Sequence, residues 1–247
     1  MWTPENIGVI SASFLVAGLV KGVIGLGLPT VSLALLTATL GLKQAMALML
    51  IPSFVTNLWQ AFGGGAFAAI VRRLWALLVA VCMGVVLGAH LLARTDTTLL
   101  SGALGFLLCI YSALSLITPQ IASPGRWEPW LSPAIGAVNG VVTGLTGSFV
   151  VPGVPYLQAL GLPRDLVVQA MGILFTVSTV ALAAALTSHS LLPSELSALS
   201  LAGLVPAFLG MLVGQRLRRR VREERFRQIF FGALLILGAY IAVRALT

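Results

Sequence analysis

One lysine and a set of neutral hydrogen-bonding side chains are the groups in this sequence that combine chemical capacity with an apolar setting. Lys21 lies in the run Lys21-Gly22-Val23-Ile24-Gly25-Leu26-Gly27-Leu28-Pro29-Thr30, inside an apolar block extending from Ile7 to Leu40. Asn57, Gln60, Asn139, Thr143, Thr146, Ser148, Gln169, Thr176, Ser178 and Thr179 fall inside other apolar blocks. All seven acids, Glu5, Asp96, Glu128, Asp165, Glu195, Glu223 and Glu224, are expected in termini or loops, which leaves no carboxylate at membrane depth. Proton- and cation-coupled pathways usually rest on an intramembrane Asp or Glu. A positive charge among hydroxyls, amides and free helix N-termini suits an anion instead. There is no HExxH, GxSxG or Walker sequence and no carboxylate pair at depth. Cys82 and Cys109 lie in apolar runs without a histidine cluster, so they read as packing residues rather than a disulfide or metal motif. No enzyme, metal site or cofactor is expected.

The elements that must position these groups follow from length. As one α-helix the block from Ile7 to Leu40 would be about 50 Å long, well beyond the ~30 Å hydrocarbon layer yet short of two spans and a turn. It must break, and the glycines together with Pro29 place the break between Gly22 and Pro29. Non-helical backbone at membrane depth survives only where protein or a watery cavity satisfies its polar groups, which makes this stretch a candidate lining for a site. Two other readings stand beside that one. Lys21 could end a short helix and snorkel to the headgroups, and Gly18, Gly22, Gly84 and Gly88 have the small-xxx-small spacing of close helix packing. His90, near the end of its block, reads as interfacial and His189 as loop.

Hydrophobic residues make up 58% of the chain and charged ones 9%, with a mean hydropathy of +1.03. A soluble domain is closer to half apolar and a quarter charged, so the chain reads as an all-α, polytopic membrane protein. Eight apolar blocks are expected, at about 7–40, 44–68, 74–93, 98–118, 131–160, 166–188, 196–215 and 226–246, giving eight to ten helices. Seven of the fifteen basic residues fall between Arg216 and Arg227, as the positive-inside rule expects of a cytoplasmic connection. The formal charge of +8 is topological information rather than a nucleic-acid footprint.

The two halves echo each other. Gly18-Leu-Val-Lys21-Gly22-Val-Ile aligns with Gly136-Ala-Val-Asn139-Gly140-Val-Val, and both continue into a Gly/Thr/Pro-rich break. Gly84 and Gly88 match Gly210 and Gly214. We therefore divide the chain into repeat 1 (1–120), a Pro/Trp-rich linker (121–130) and repeat 2 (131–247), with inverted repeats as the preferred arrangement because a doubled-back first block fits its length.

These same segments resemble the TauE/SafE family of sulfite and organosulfonate permeases, also called the toluene sulfonate uptake permease family. The resemblance is carried by the run from Lys21 to Pro29, by Gly140-Val-Val-Thr143-Gly144-Leu145-Thr146-Gly147-Ser148, and by Tyr156-Leu-Gln-Ala-Leu-Gly161-Leu162-Pro163-Arg164-Asp165, and it covers nearly the full length. Where many members carry adjacent glycines in each break, this chain has Gly25-Leu26-Gly27 and Gly147-Ser148-Phe149. The resemblance implies transport of sulfite, sulfoacetate or a related small sulfur-containing anion across a bacterial inner membrane, with export as the preferred direction. The expected substrate-binding set is Lys21, Gly22, Gly25, Gly27, Thr30, Asn57, Gln60, Asn139, Gly140, Thr143, Gly144, Thr146, Gly147, Ser148 and Thr176. The expected partners are that anion and the lipid bilayer, with no nucleic acid and with room for a homodimer. A passive anion channel and a non-transporting membrane subunit are the rival functions.

Overall fold

The computed structural model describes residues 3–117, 122–218 and 220–246. Residues 118–121 of the proline-rich joint, Arg219 of the basic run and the side chain of Glu223 lie outside the described residues. Among the described residues there are eleven α-helices and no strand: α1 (Pro4–Ile24), α2 (Leu28–Leu40), α3 (Leu42–Phe62), α4 (Phe67–Arg94), α5 (Thr97–Ile117), α6 (Glu128–Thr146), α7 (Gly153–Ala159), α8 (Arg164–Ser188), α9 (Ser194–Ala202), α10 (Leu204–Arg218) and α11 (Glu223–Arg244). A 3-10 turn, Gly125–Trp127, leads into α6. Seven segments among the described residues are long and apolar enough to cross a membrane: α1, α3, α4, α5, α8, α9 with α10 taken together, and α11 from Glu224.

Local chemistry accounts for the helix ends. At the start of α1 the Thr3 side chain accepts the Asn6 N–H at 3.3 Å, with Pro4 at the first helical position, where its missing N–H costs nothing. The acids sit in or beside first turns rather than in loops proper: Glu5, Glu128, Asp165 and Glu195 in the first turns of α1, α6, α8 and α9, and Asp96 one residue before α5. Negative charge there complements the positive end of the helix dipole. The basic run is mostly helical as well, with Arg216 and Arg218 in the last turn of α10 and Arg225 and Arg227 in α11.

Packing divides the chain into two compact units, and each draws helices from both halves of the sequence. Unit 1 comprises Met1–Pro52, Asp96–Thr118 and Leu192–Thr247; unit 2 comprises Ser53–Thr95 and Pro119–Leu191. In unit 1 the chief helix pairs are α1 with α10 and α5 with α11; in unit 2 they are α4 with α6 and α4 with α8. The glycine spacing explains the first of each. A Cβ on Gly22 would overlap the Met211 carbonyl, and one on Gly214 the Leu19 carbonyl. In unit 2 a Cβ on Gly144 would strike the Val85 carbonyl and one on Gly88 the Val141 carbonyl. Lipid gives apolar side chains little reason to leave it, so close backbone approach through small residues is what joins such helices.

Proline 52 lies within α3 and has no N–H to give the Leu48 carbonyl. The Ser200 hydroxyl of α9 replaces it, donating to that carbonyl at 2.6 Å while accepting the Ile51 N–H at 3.2 Å. In unit 2 the buried Gln169 amide does similar work between α3 and α4: Nε2 donates to the Ala61 carbonyl at 2.8 Å, and Oε1 accepts the Ala66 N–H at 3.2 Å.

Candidate functional site

Both predicted interruptions are present, and each is built around a glycine in the left-handed region. In unit 1, α1 stops at Ile24; Gly25 (φ 85°) donates its N–H to the Lys21 carbonyl at 2.8 Å, and Gly27 (φ 108°) caps α2. Only glycine holds such angles at low cost. Lys21 occupies the last turn of α1 and is 6% exposed, so the side chain is buried in the protein rather than extended into water. Its charge also stands at the negative end of the helix dipole. Thr30 is buried in the first turn of α2.

In unit 2, α6 stops at Thr146, and Gly147 (φ 74°) donates to the Thr143 carbonyl at 2.8 Å. The irregular backbone from Ser148 to Pro152 then leads into the short helix α7. These two ends correct the internal alignment by one helical turn. Lys21 and Thr143 are each the residue whose carbonyl receives the glycine cap, so Thr143, rather than Asn139, holds the place of Lys21. In the same register Gly22 corresponds to Gly144, and their packing partners, Gly214 and Gly88, correspond too.

Much of the polar capacity in the second break is spent on its own backbone. The Thr143 hydroxyl donates to the Ser148 carbonyl at 3.0 Å, the Thr146 oxygen accepts the Ser148 N–H at 3.3 Å, and Asn139 Oδ1 accepts the Gly153 N–H at 2.9 Å. This is what buried irregular backbone requires. Two polar atoms remain over. Asn139 Nδ2 and Ser148 Oγ are buried and have no hydrogen-bond partner among the described residues. An unpartnered buried donor costs about 1–3 kcal/mol unless something else accepts from it.

The remaining expected residues fall elsewhere. Gly22, Gly140 and Gly144 are helical and lie against neighbouring backbone, which accounts for their being glycine. Gln60 donates to the Val168 carbonyl at 2.7 Å and so ties α3 to α8; Thr176 bonds back to the Gly172 carbonyl at 2.7 Å. Asn57 is fully buried in α3. The Ser178 hydroxyl, fully buried in α8 of unit 2, has no partner among the described residues and was not in the expected set. A single serine in an apolar run gives no signal separating it from one that bonds its own helix.

A brace near the start of α6 also escaped the sequence reading. Arg73 of α4 forks onto Glu128, Nε to Oε1 at 2.6 Å and Nη2 to Oε2 at 2.7 Å, and Nη2 reaches the Leu160 carbonyl at 3.2 Å. The Arg73 guanidinium holds the Glu128 carboxyl below the usual carboxylate range. Tyr156 of α7 shares a 2.6 Å hydrogen bond with Ser132 of α6. Together these contacts fix α7, and hence the far side of the break, to α4 and α6.

Comparison with known proteins gives one family. No curated protein and no solved structure gives a significant match. The family model described as sulfite exporter TauE/SafE matches residues 10–241, nearly the whole chain. With the broken helices, the buried lysine and the seven membrane-length segments already in view, the chain belongs to the sulfite exporter TauE/SafE family of membrane transporters.

Proposed function

We propose that this protein is a secondary carrier that exports a small sulfur-containing anion of the sulfite or organosulfonate kind, and that the break in each unit presents groups suited to an anion. The observation that carries this reading is the pair of buried polar groups at the second break, the Asn139 amide nitrogen and the Ser148 hydroxyl, each without a partner among the described residues. A sulfonate or sulfite oxygen would accept from both. At the first break, Lys21 contributes positive charge, and the Leu28 and Thr30 N–H groups lie in the first turn of α2. Thr143 and Thr146 act indirectly in this reading by holding the Ser148 backbone. No sequence motif for a nucleotide is present, so the gradient of the anion or of a coupled ion would drive the movement.

The test is flux in proteoliposomes of purified protein loaded with sulfite or sulfoacetate. A carrier gives saturable flux with counterflow, whereas ohmic current without counterflow would identify a channel. K21A is expected to weaken the apparent affinity by roughly tenfold or more, the scale of a lost charge-assisted hydrogen bond. Unchanged affinity in K21A would remove the lysine from the mechanism.

A further inference from the structure

The chain has two histidines, His90 and His189, separated by almost a hundred residues. Both belong to unit 2 and their rings are in contact, with centroids 5.6 Å apart and planes inclined by 51°. His90 lies in the last part of α4 and is exposed; His189 caps the C-terminus of α8 and is half-buried. Both are thus at the ends of membrane-length helices, where water and dissolved ions have access. Neither has a part in the anion site above.

We propose that His90 and His189 form a two-point site for a borderline transition-metal dication such as Zn²⁺ or Cu²⁺, tying the end of α4 to the end of α8. Neutral imidazole is the commonest protein ligand for these ions. The spacing fits one bridging ion: a ring nitrogen lies about 1.1 Å from its centroid and binds zinc at roughly 2.1 Å, so two rings in line would be about 6.4 Å apart. The observed 5.6 Å lies within that limit, so a nitrogen of each ring can reach one ion at a bent angle. Among the described residues no third histidine, cysteine or carboxylate completes a cluster. Water fills the remaining positions, and the site is therefore exchangeable rather than a closed structural centre. Sequence spacing could not show it, because the two residues come from different helices and share no local motif.

The experiment uses full-length protein without a polyhistidine tag, with Cu²⁺ followed by electron paramagnetic resonance and Zn²⁺ by calorimetry. The expected result is one ion per chain, two-nitrogen coupling for copper, and a loss of at least roughly tenfold in affinity in H90A and in H189A, no smaller than the loss for a supporting contact. H90Q, at an exposed position, checks that the loss is not a folding defect: it should elute as the native protein does and still bind weakly. The double variant should lose little beyond either single variant. Wild-type binding in both single variants, or losses that simply add, would overturn the bridging site.

Discussion

Asn139 uses one end of its amide and leaves the other open, and the two ends can be separated by substitution. Oδ1 holds the Gly153 N–H at 2.9 Å, while Nδ2 has no partner among the described residues. N139D keeps an acceptor for Gly153 but removes the donor and adds a negative charge. It should fold and lose at least about tenfold in anion affinity, read as the apparent KM for flux in proteoliposomes. N139A removes both ends and should also lower stability by about 1–3 kcal/mol in a denaturant titration, because the Gly153 N–H is then buried without an acceptor. Wild-type affinity in both variants would mean that Nδ2 has no part in binding. The residue types here were legible in the sequence; how each amide and hydroxyl divides its bonds was not, since that depends on where the backbone of the break runs.

At the scale of elements, three features of the helices have separable consequences. Gly25 ends α1 with φ 85° and has open space where a Cβ would go, whereas Gly22 lies against the Met211 carbonyl and Gly214 of α10. G25A therefore carries backbone strain alone, about 1–2 kcal/mol, while G22A forces two helices apart. G22A should show the larger fall in thermal midpoint and in yield of monodisperse protein; the reverse order would mean that the α1–α10 contact is not held by close backbone approach. Ser200 gives the third case. S200A strips the Leu48 carbonyl of the hydrogen that Pro52 cannot supply, and should cost about 1–3 kcal/mol. S200T, which keeps the hydroxyl, should restore much of that loss if the larger side chain is tolerated, with both measured by thermal unfolding in detergent. A proline inside a helix always leaves a gap in the hydrogen-bond ladder, but what fills the gap at Leu48 is Ser200, 152 positions further along the chain.

On the scale of the whole molecule, the pairings α1 with α10 and α4 with α6 each join a helix from one half of the chain to a helix from the other. Neither unit is a continuous stretch of chain, so folding of each must await synthesis of its later helices. Unit 2 further depends on the Arg73–Glu128 fork beside Leu160. The carboxyl of Glu128 is depressed from 4.5 in the folded protein. Its contribution to stability is therefore complete above about pH 4.5 and is lost as pH falls through the lower folded value. Because the pair is partly exposed, the effect is small. R73Q should remove that pH dependence and make the α7 segment more accessible to limited proteolysis or hydrogen exchange. An unchanged acid profile in R73Q would show that the fork contributes nothing.

The sequence by itself determined the membrane class and the place of the two glycine-rich interruptions, because hydropathy, glycine freedom and proline's missing donor are properties of short stretches. It also placed the carboxylates near segment ends, although only the coordinates resolved these as helix first turns. The tertiary structure decided which polar groups are consumed by the breaks, which glycine faces which, and that Ser200 answers Pro52. It also decided that His90 meets His189. Local rules say that a buried donor or a missing side chain needs a partner; the partner itself is chosen by packing between segments far apart in the chain, and that choice leaves no trace in spacing.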